Sequence, residues 1–207
     1  TGGGVFSRIR YEGFHSSNVI GSPELPEIHQ LIELPQGSVP RIEIIDSEIE
    51  YHDLHDIGVL SPIFPFQPSL SKSQDADDIP FELNESIYEV DAFIGSEVVS
   101  VDIKGMLRSM RLANLILRPV DYNPQTGVLK IWNKITFRIH FDQADLSLTE
   151  KIKEKHSSPY YDALYHQVSN YISPEIRDDL VTYPVTYVII TILEIIINTS
   201  SWKSIRR

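Results

Sequence analysis

Residues 41–51 read RIEIIDSEIEY and alternate apolar with polar side chains for most of their length. Successive side chains of a β-strand point to opposite faces, so this alternation is typical of a strand with one buried face rather than of a helix. Residues 136–141, TFRIHF, repeat the pattern. The two segments predict that the fold depends on antiparallel β-sheet.

Between these segments lie three short runs rich in β-favouring residues, at 98–103, 112–117 and 128–132. Gly105, Pro119 and the turn signal NPQTG at 123–127 separate them. We expect the last two runs to form a hairpin around that turn, with Gly127 at a positive φ. Residues 65–78, PFQPSLSKSQDADD, predict an exposed loop.

A helical pattern is confined to residues 158–168, SPYYDALYHQV. Ser158 is a candidate N-cap and Pro159 suits a first helical position, while Tyr161, Leu164, Tyr165 and Val168 fall on one face. The chain is therefore expected to be mainly β up to about residue 145, as an antiparallel β-sandwich, followed by a short helical C-terminal tail.

Composition excludes several classes of function. The chain has 207 residues, 18 Lys and Arg against 29 Asp and Glu, and a formal net charge of -11. This charge argues against nucleic acid as a partner. There is no cysteine, which excludes disulfides and thiolate nucleophiles. The most apolar run, residues 187–197, is too short to span a membrane and contains Glu194, so it predicts a buried strand or the start of an α/β core.

No catalytic or metal site emerges from the sequence. The tightest cluster of potential metal ligands is HDLHD at residues 52–56, and its two histidines follow a predicted strand without a third group to complete a site. Glu48 and Glu50 share a strand face but are typical of solvent-facing acids. We expect no catalytic residue, no cofactor and no metal in this chain.

Four short motifs carry a family resemblance. They are GSPELP at 21–26, LPQG at 34–37, RSMR at 108–111 and RPVDYNPQTGVL at 118–129. In this order and spacing they resemble the propeptide of gingipain-type cysteine peptidases, the C25 family, over about residues 20–180. Residues 1–19 would then be a lead-in strand. Residues 186–191, followed by Trp202 and Lys203, resemble the opening strand and first helix of the peptidase domain, which would begin at about residue 184. The strand-favouring residues 195–199 depart from the helix expected there.

The resemblance implies a mechanism. A propeptide of this family packs on the catalytic domain that follows it in the same chain, assists its folding and blocks its cleft with a loop that carries a basic residue. Here that loop would be residues 104–111, KGMLRSMR, which contain Lys104, Gly105, Arg108 and Arg111. Gly105 would give backbone freedom, and Arg108, or alternatively Arg111, would reach an acidic specificity pocket. The catalytic His and Cys would lie downstream, and a signal peptide would place the protein outside the cell or on its surface.

Two other classes remain open from the residues alone. The first is a secreted adhesive or carbohydrate-binding β-sandwich, which Tyr122, Trp132 and Phe137 would suit. The second is an inactive piece of an enzyme that binds nothing by itself. A peptidase domain with His and Cys in the remainder of the gene would distinguish the propeptide from both.

Overall fold

The computed structural model describes residues 4–71, 79–95, 97–156, 159–171, 185–190 and 196–201. Its strands, in chain order, are β1 (Val5–Arg10), β2 (His15–Ser16), β3 (Pro26–Leu34), β4 (Val39–Asp53), β5 (Val99–Leu107), β6 (Met110–Leu117), β7 (Val120–Asn123), β8 (Val128–Asp142), β9 (Val185–Ile190) and β10 (Ile196–Ser201). The helices are α1 (Glu85–Tyr88), α2 (Leu146–His156) and α3 (Asp162–Tyr165), with 3₁₀ turns at His55–Ile57 and Pro159–Tyr161.

Two antiparallel sheets form the body of the domain. The first has the order β2-β3-β6-β5, and the second has the order β4-β8-β7, with β9 also pairing with β8. A separate two-stranded sheet joins β1 to β10. The predicted strands at 41–51 and 136–141 lie in β4 and β8 and pair with each other, as when Ile42 faces Ile139. These two strand predictions are confirmed.

The main core lies between the two sheets. It consists of buried apolar side chains from both of them: Ile32, Leu34, Val99, Ala113, Leu115 and Leu117 from the first sheet, and Trp132, Ile135, Phe137 and Ile139 from the second. Side chains that interdigitate from two facing sheets define a β-sandwich. The predicted fold class is therefore confirmed.

A second core lies on the opposite face of β8. Leu129 and Ile131 contact it, whereas Trp132, Ile135 and Phe137 contact the main core. The change of face coincides with a register shift between Glu48 and Ile49 of β4, at which Asn133 is the extra residue of β8. The second core is completed by residues of β1, β7 and the segment after β4: Ile9, Val120, Tyr122, Leu54, Val59 and Ile63, with Leu25 beside them.

The turn prediction is half right. Gly127 has a φ of 71° and its N–H donates to the carbonyl of Asn123 at 2.9 Å, which closes the expected turn. The strand before the turn, however, is β7 (Val120–Asn123), not residues 112–117. The latter belong to β6, which pairs with β3 and β5 in the other sheet. Pro119 interrupts the strand, and the chain crosses from one sheet to the other at that point.

The helical tail is longer than predicted. Helix α2 (Leu146–His156) was missed, although Asp145 caps it by accepting the N–H of Leu148 at 2.8 Å. The predicted helix at 158–168 is a 3₁₀ turn followed by the short α3, and Ser158 lies outside the described residues. Two residues of the predicted apolar helix face, Tyr165 and Val168, are buried in a third core against Met110 and Leu112.

The tail is fixed to the first sheet by polar contacts as well. Lys153 of α2 donates to Glu33 of β3 at 2.5 Å, and both side chains are only 5% exposed. The side-chain oxygen of Asn170 accepts a hydrogen bond from the N–H of Glu33, and its side-chain nitrogen donates to the Glu33 carbonyl oxygen. Removing only one partner of a buried ion pair lowers the free energy of unfolding strongly, because the remaining charge stays buried without a counter-charge.

The two C-terminal strands pair within these sheets. Strand β9 lies beside β8, and β10 beside β1. The strand tendency of residues 196–199 is thus realised in β10. Ile195, Trp202, Lys203 and residues 72–78 of the predicted loop lie outside the described residues. The domain boundaries at 19, 180 and 184 stay predictions. No helix in the described part of the chain is long and apolar enough to cross a membrane.

The first prediction concerns Gly127. A Cβ at this position would lie 2.7 Å from the His55 ring, whereas a Cβ at Gly58, which has a similar φ of 79°, would meet nothing within 4 Å. We expect Gly58→Ala to cost about 1 kcal/mol for the left-handed backbone alone, and Gly127→Ala to cost more. Urea denaturation of both variants and of Gly127→Ala/His55→Ala measures the difference. Equal costs for the two single variants would contradict the predicted contact with His55.

The second prediction concerns the buried carboxylate of Asp121. Among the described residues its Oδ1 has no hydrogen-bond partner, and its Oδ2 lies 4.0 Å from Lys130 Nζ. Burial raises the pKa of Asp121 to about 6, and Lys130 offsets only part of that effect. The folded state therefore holds a proton that the unfolded state releases near pH 4.

Because this pKa is raised on folding, its stabilising effect is complete below about pH 4 and is lost as the pH rises through 6. We expect the wild type to lose about 2 kcal/mol relative to Asp121→Asn between pH 4 and pH 7. Urea denaturation at pH 4 and pH 7 measures the free energy of unfolding of both proteins, with the exposed Asp56→Asn as the matched control. A difference between wild type and Asp121→Asn that does not change with pH would rule out this role.

Candidate functional site

The hairpin between β5 and β6 contains the four residues predicted for the inhibitory loop. Its last pair is Leu107 with Met110, so Arg108 and Ser109 form a two-residue tip. Arg108 has a φ of 52°, in the left-handed region that side chains other than glycine seldom occupy. Ser109 is 2% exposed, whereas the side chain of Arg108 is exposed. The backbone thus directs Arg108 outward from a tip whose other residue is buried.

Lys104 and Gly105 form a β-bulge in the same hairpin. The register of β5 against β6 shifts between Ile103 and Gly105, which leaves Lys104 without an opposed residue. Gly105 has a φ of 129° and no atom within 4 Å of the position a Cβ would take. Lys104 is exposed and pairs with Asp102 at 2.5 Å. The bulge increases the local twist of β5 just before the tip.

Arg111 is anchored inside the domain. Its Nη1 donates to the carbonyl oxygen of Ser38 at 2.6 Å and to that of Pro35 at 3.3 Å. Next to it, Gln36 donates to the sulfur of Met106 at 3.6 Å. These contacts tie the base of the hairpin to the turn between β3 and β4. Arg111 therefore already uses its guanidinium for internal contacts.

Arg108 makes its contacts with the helical tail. Its Nη2 donates to the hydroxyl of Tyr161 at 3.0 Å, and its Cζ lies 4.1 Å from the centre of the Tyr161 ring. Tyr161 packs against the third core. The sequence did not predict this partner, because 53 residues separate the two. Because the Arg108 side chain is exposed, its other N–H groups stay available to an incoming carboxylate.

The HDLHD segment is not arranged as a metal site. His55 contacts Asp53 through its backbone N–H and through Nδ1, both at 2.8 Å. Both hydrogen bonds lower the pKa of the Asp53 carboxyl group, and the one from the His55 backbone has the larger effect. His52 instead lies 3.3 Å from Glu50 on the strand. Across the described ranges, no group of three or more His, Asp or Glu is placed to hold a metal ion.

Comparison with known proteins gives a family match. The family model Propeptide_C25 matches residues 1–157. Lys-gingipain of Porphyromonas gingivalis is 31% identical over 190 residues, which is 92% of this chain and 11% of that protein. Gingipain R2 of the same organism is 26% identical over 120 residues, or 58% of this chain and 15% of that protein. The chain thus spans less than a sixth of the length of these curated relatives.

Two solved structures share the fold. One comes from a study of the zymogenic latency of gingipain K from P. gingivalis, with 32% identity and a TM-score of 0.59 over 64% of this chain and 72% of that chain. The other is the complex of the pro- and mature domains of P. gingivalis RgpB, with a TM-score of 0.60 over 77% and 78%. At 19% identity, this second likeness concerns the fold alone.

The third prediction separates the two arginines by stability. Arg111→Ala should lower the free energy of unfolding by about 1.5 kcal/mol or more, because the carbonyl groups of Pro35 and Ser38 lose a charged donor. Arg108→Ala should change it by less than about 0.5 kcal/mol, since the side chain is exposed. Chemical denaturation of both variants tests this. A larger loss for Arg108→Ala would show that Arg108, not Arg111, holds the hairpin to the domain.

Proposed function

The chain belongs to the Propeptide_C25 family, and from this we propose that it is the N-terminal prodomain of a gingipain-like cysteine endopeptidase. In this role it assists the folding of the catalytic domain and keeps that domain latent by blocking its active-site cleft. The observation that carries the proposal is the exposed Arg108 at a hairpin tip with a left-handed backbone. Backbone strain of this kind persists only where the surrounding structure holds it, and it is concentrated at functional positions.

Arg108 is the residue that we propose for the cleft. Its partner Tyr161 lies on the surface of the same domain, so a carboxylate of the peptidase can replace that contact. Arg111 is the weaker candidate, because withdrawing it would remove a charged hydrogen-bond donor from the carbonyl oxygens of Ser38 and Pro35. Lys104 would assist at the rim of the loop, and the Gly105 bulge would set the approach of the tip.

The chemistry of such a contact favours arginine. A guanidinium binds a carboxylate through two parallel N–H donors, and in a pocket without water this geometry contributes both affinity and selectivity. Removing it leaves the carboxylate of the pocket buried and unpaired. The hairpin base, fixed by Arg111 and by the third core, would hold the tip in position while the rest of the domain covers the cleft.

The proposal extends to the whole polypeptide. Residues 20–180 would be the prodomain, residues 1–19 its lead-in strand, and residues from about 184 the start of the peptidase domain. The catalytic His and Cys would follow downstream, and the protein would be secreted or displayed at the cell surface. The comparisons lend no support to an adhesive or carbohydrate-binding module.

The fourth prediction tests inhibition. The purified 207-residue chain, added to the mature peptidase of the same precursor, should inhibit it. Arg108→Ala should weaken this inhibition by about 2–5 kcal/mol if the pair is buried, whereas the exposed Arg10→Ala, as a matched control, should leave the inhibition constant unchanged. Arg111→Ala, assayed where it is fully folded, should have a smaller effect than Arg108→Ala.

The outcomes separate the parts of the proposal. If the wild-type chain does not inhibit, the prodomain function fails. If Arg111→Ala weakens inhibition and Arg108→Ala does not, Arg111 is the residue that occupies the cleft. Tight inhibition that neither substitution weakens would leave a prodomain without a basic residue in the cleft.

A further inference from the structure

In the part of the chain that the structure describes, no further strand covers one side of the β-sandwich. Strands β4 and β5 are the edge strands of the two sheets, and within the described residues β4 pairs only with β8 and β5 only with β6. Four apolar side chains along these two strands are substantially exposed: Ile44 at 44%, Ile49 at 39%, Ile103 at 45% and Met106 at 52%. We refer to these four residues as the open edge.

The open edge belongs to the inner faces of the two sheets. Residues directly opposite each other in an antiparallel pair share a face. Ile44 faces Phe137 and Ile49 faces Trp132, and both partners lie in the main core. Likewise Ile103 faces the buried Ala113. These side chains therefore extend the main core beyond the point where the opposite sheet covers it.

The outer face of β4 is built differently. Glu43 accepts a hydrogen bond from His140 at 2.6 Å and also pairs with Arg138, while Glu48 pairs with Lys134. Charged side chains on an edge strand protect it from pairing with other chains. These charged side chains protect only the outer face of β4. Its inner face carries Ile44 and Ile49 instead. An uncovered apolar surface on an edge is typical of an interaction site.

The open edge is continuous with the hairpin tip. Met106 is two residues before Arg108, and its sulfur contacts Gln36 in the turn that also holds Arg111. A partner that receives Arg108 in a cleft therefore meets Met106 first, and Ile103 follows on the same strand. Ile44 and Ile49 lie on β4, which begins directly after the Ser38 that Arg111 contacts. The match covers only 11% of Lys-gingipain, so most of that relative's polypeptide lies outside the matched region and can supply such a partner.

We propose that the open edge is the surface on which the catalytic domain of the peptidase docks. This inference rests on the proposed function and deepens it, because it divides the work between two parts of the prodomain. Apolar burial at the open edge holds the two domains together, whereas Arg108 directs the tip into the cleft. Buried apolar area at the centre of an interface mainly lowers the dissociation rate, which is where most affinity differences arise.

The experiment compares two double variants of the 207-residue chain as inhibitors of the mature peptidase of the same precursor. Ile44→Ser/Ile103→Ser removes apolar surface from the open edge and keeps Arg108. Val19→Ser/Ile57→Ser removes apolar side chains that are 61% and 60% exposed and lie on neither β4 nor β5. We expect the first to raise the inhibition constant roughly tenfold or more, through faster dissociation, and the second to change it less than about twofold.

A second measurement does not depend on substitutions. Hydrogen exchange of the wild-type chain, with and without the peptidase, should show new protection at residues 44–49 and 103–106 in the complex. Thermal melts of both double variants establish that they are folded in the assay.

Each result decides between the two proposals. Inhibition by the wild type that Ile44→Ser/Ile103→Ser does not weaken, without new protection at these residues, overturns the docking surface and leaves the prodomain function intact. The docking surface is also overturned if the double variant no longer self-associates but inhibits like the wild type. In that case a second copy of the chain, not the peptidase, binds the open edge. A wild type that does not inhibit at all overturns the proposed function, and the docking surface with it.

Discussion

Strand β8 has to bury both of its faces, and the rest of the structure depends on this constraint. Ile135, Phe137 and Ile139 point into the main core, while Leu129 and Ile131 point to the other side. A strand that is apolar on both sides is stable only when each side is covered by a different layer. The first sheet covers one face, and β1 with the segment after β4 covers the other.

The irregularity at Asn133 makes this arrangement compatible with a single long pair of strands. Without it, side chains two apart would stay on one face for all fifteen residues of β8. The register shift against β4 reverses the alternation, so that Trp132 and Ile135, three residues apart, both lie in the main core. Each half of the strand thereby presents its apolar side chains to a different core.

The candidate site combines a fixed base with an exposed tip. Arg111, Gln36 and the third core hold β5 and β6, so the strained backbone of Arg108 does not relax by local rearrangement. The ion pair between Lys153 and Glu33 fixes the helical tail beneath the same sheet. Preorganisation of this kind suits a binding element, because little conformational entropy remains to be lost when a partner binds. The open edge beside it provides the apolar surface that a single charged contact lacks.

The sequence by itself determined the two long strands β4 and β8, the turn and the fold class. The alternation at residues 41–51 and 136–141 needs no tertiary information, because the period of a strand is a property of its backbone. The turn at Asn123 follows from local chemistry too, since its side chain accepts the N–H groups of Gln125 and Thr126. The four motifs of the resemblance likewise identified the family that the comparison confirmed.

Only the tertiary structure decided which strands are neighbours and which arginine is exposed. Residues 112–117 were assigned to a hairpin with 128–132, but Pro119 sends the two runs into different sheets. Helix α2 was missed because its buried residues include Thr149 and Lys153, which carry no apolar period. Arg108 and Arg111 belong to one short motif, RSMR. Their difference arises from Tyr161, 53 residues away, and Ser38, 73 residues away, and contacts across such separations exist only once the sheets have formed.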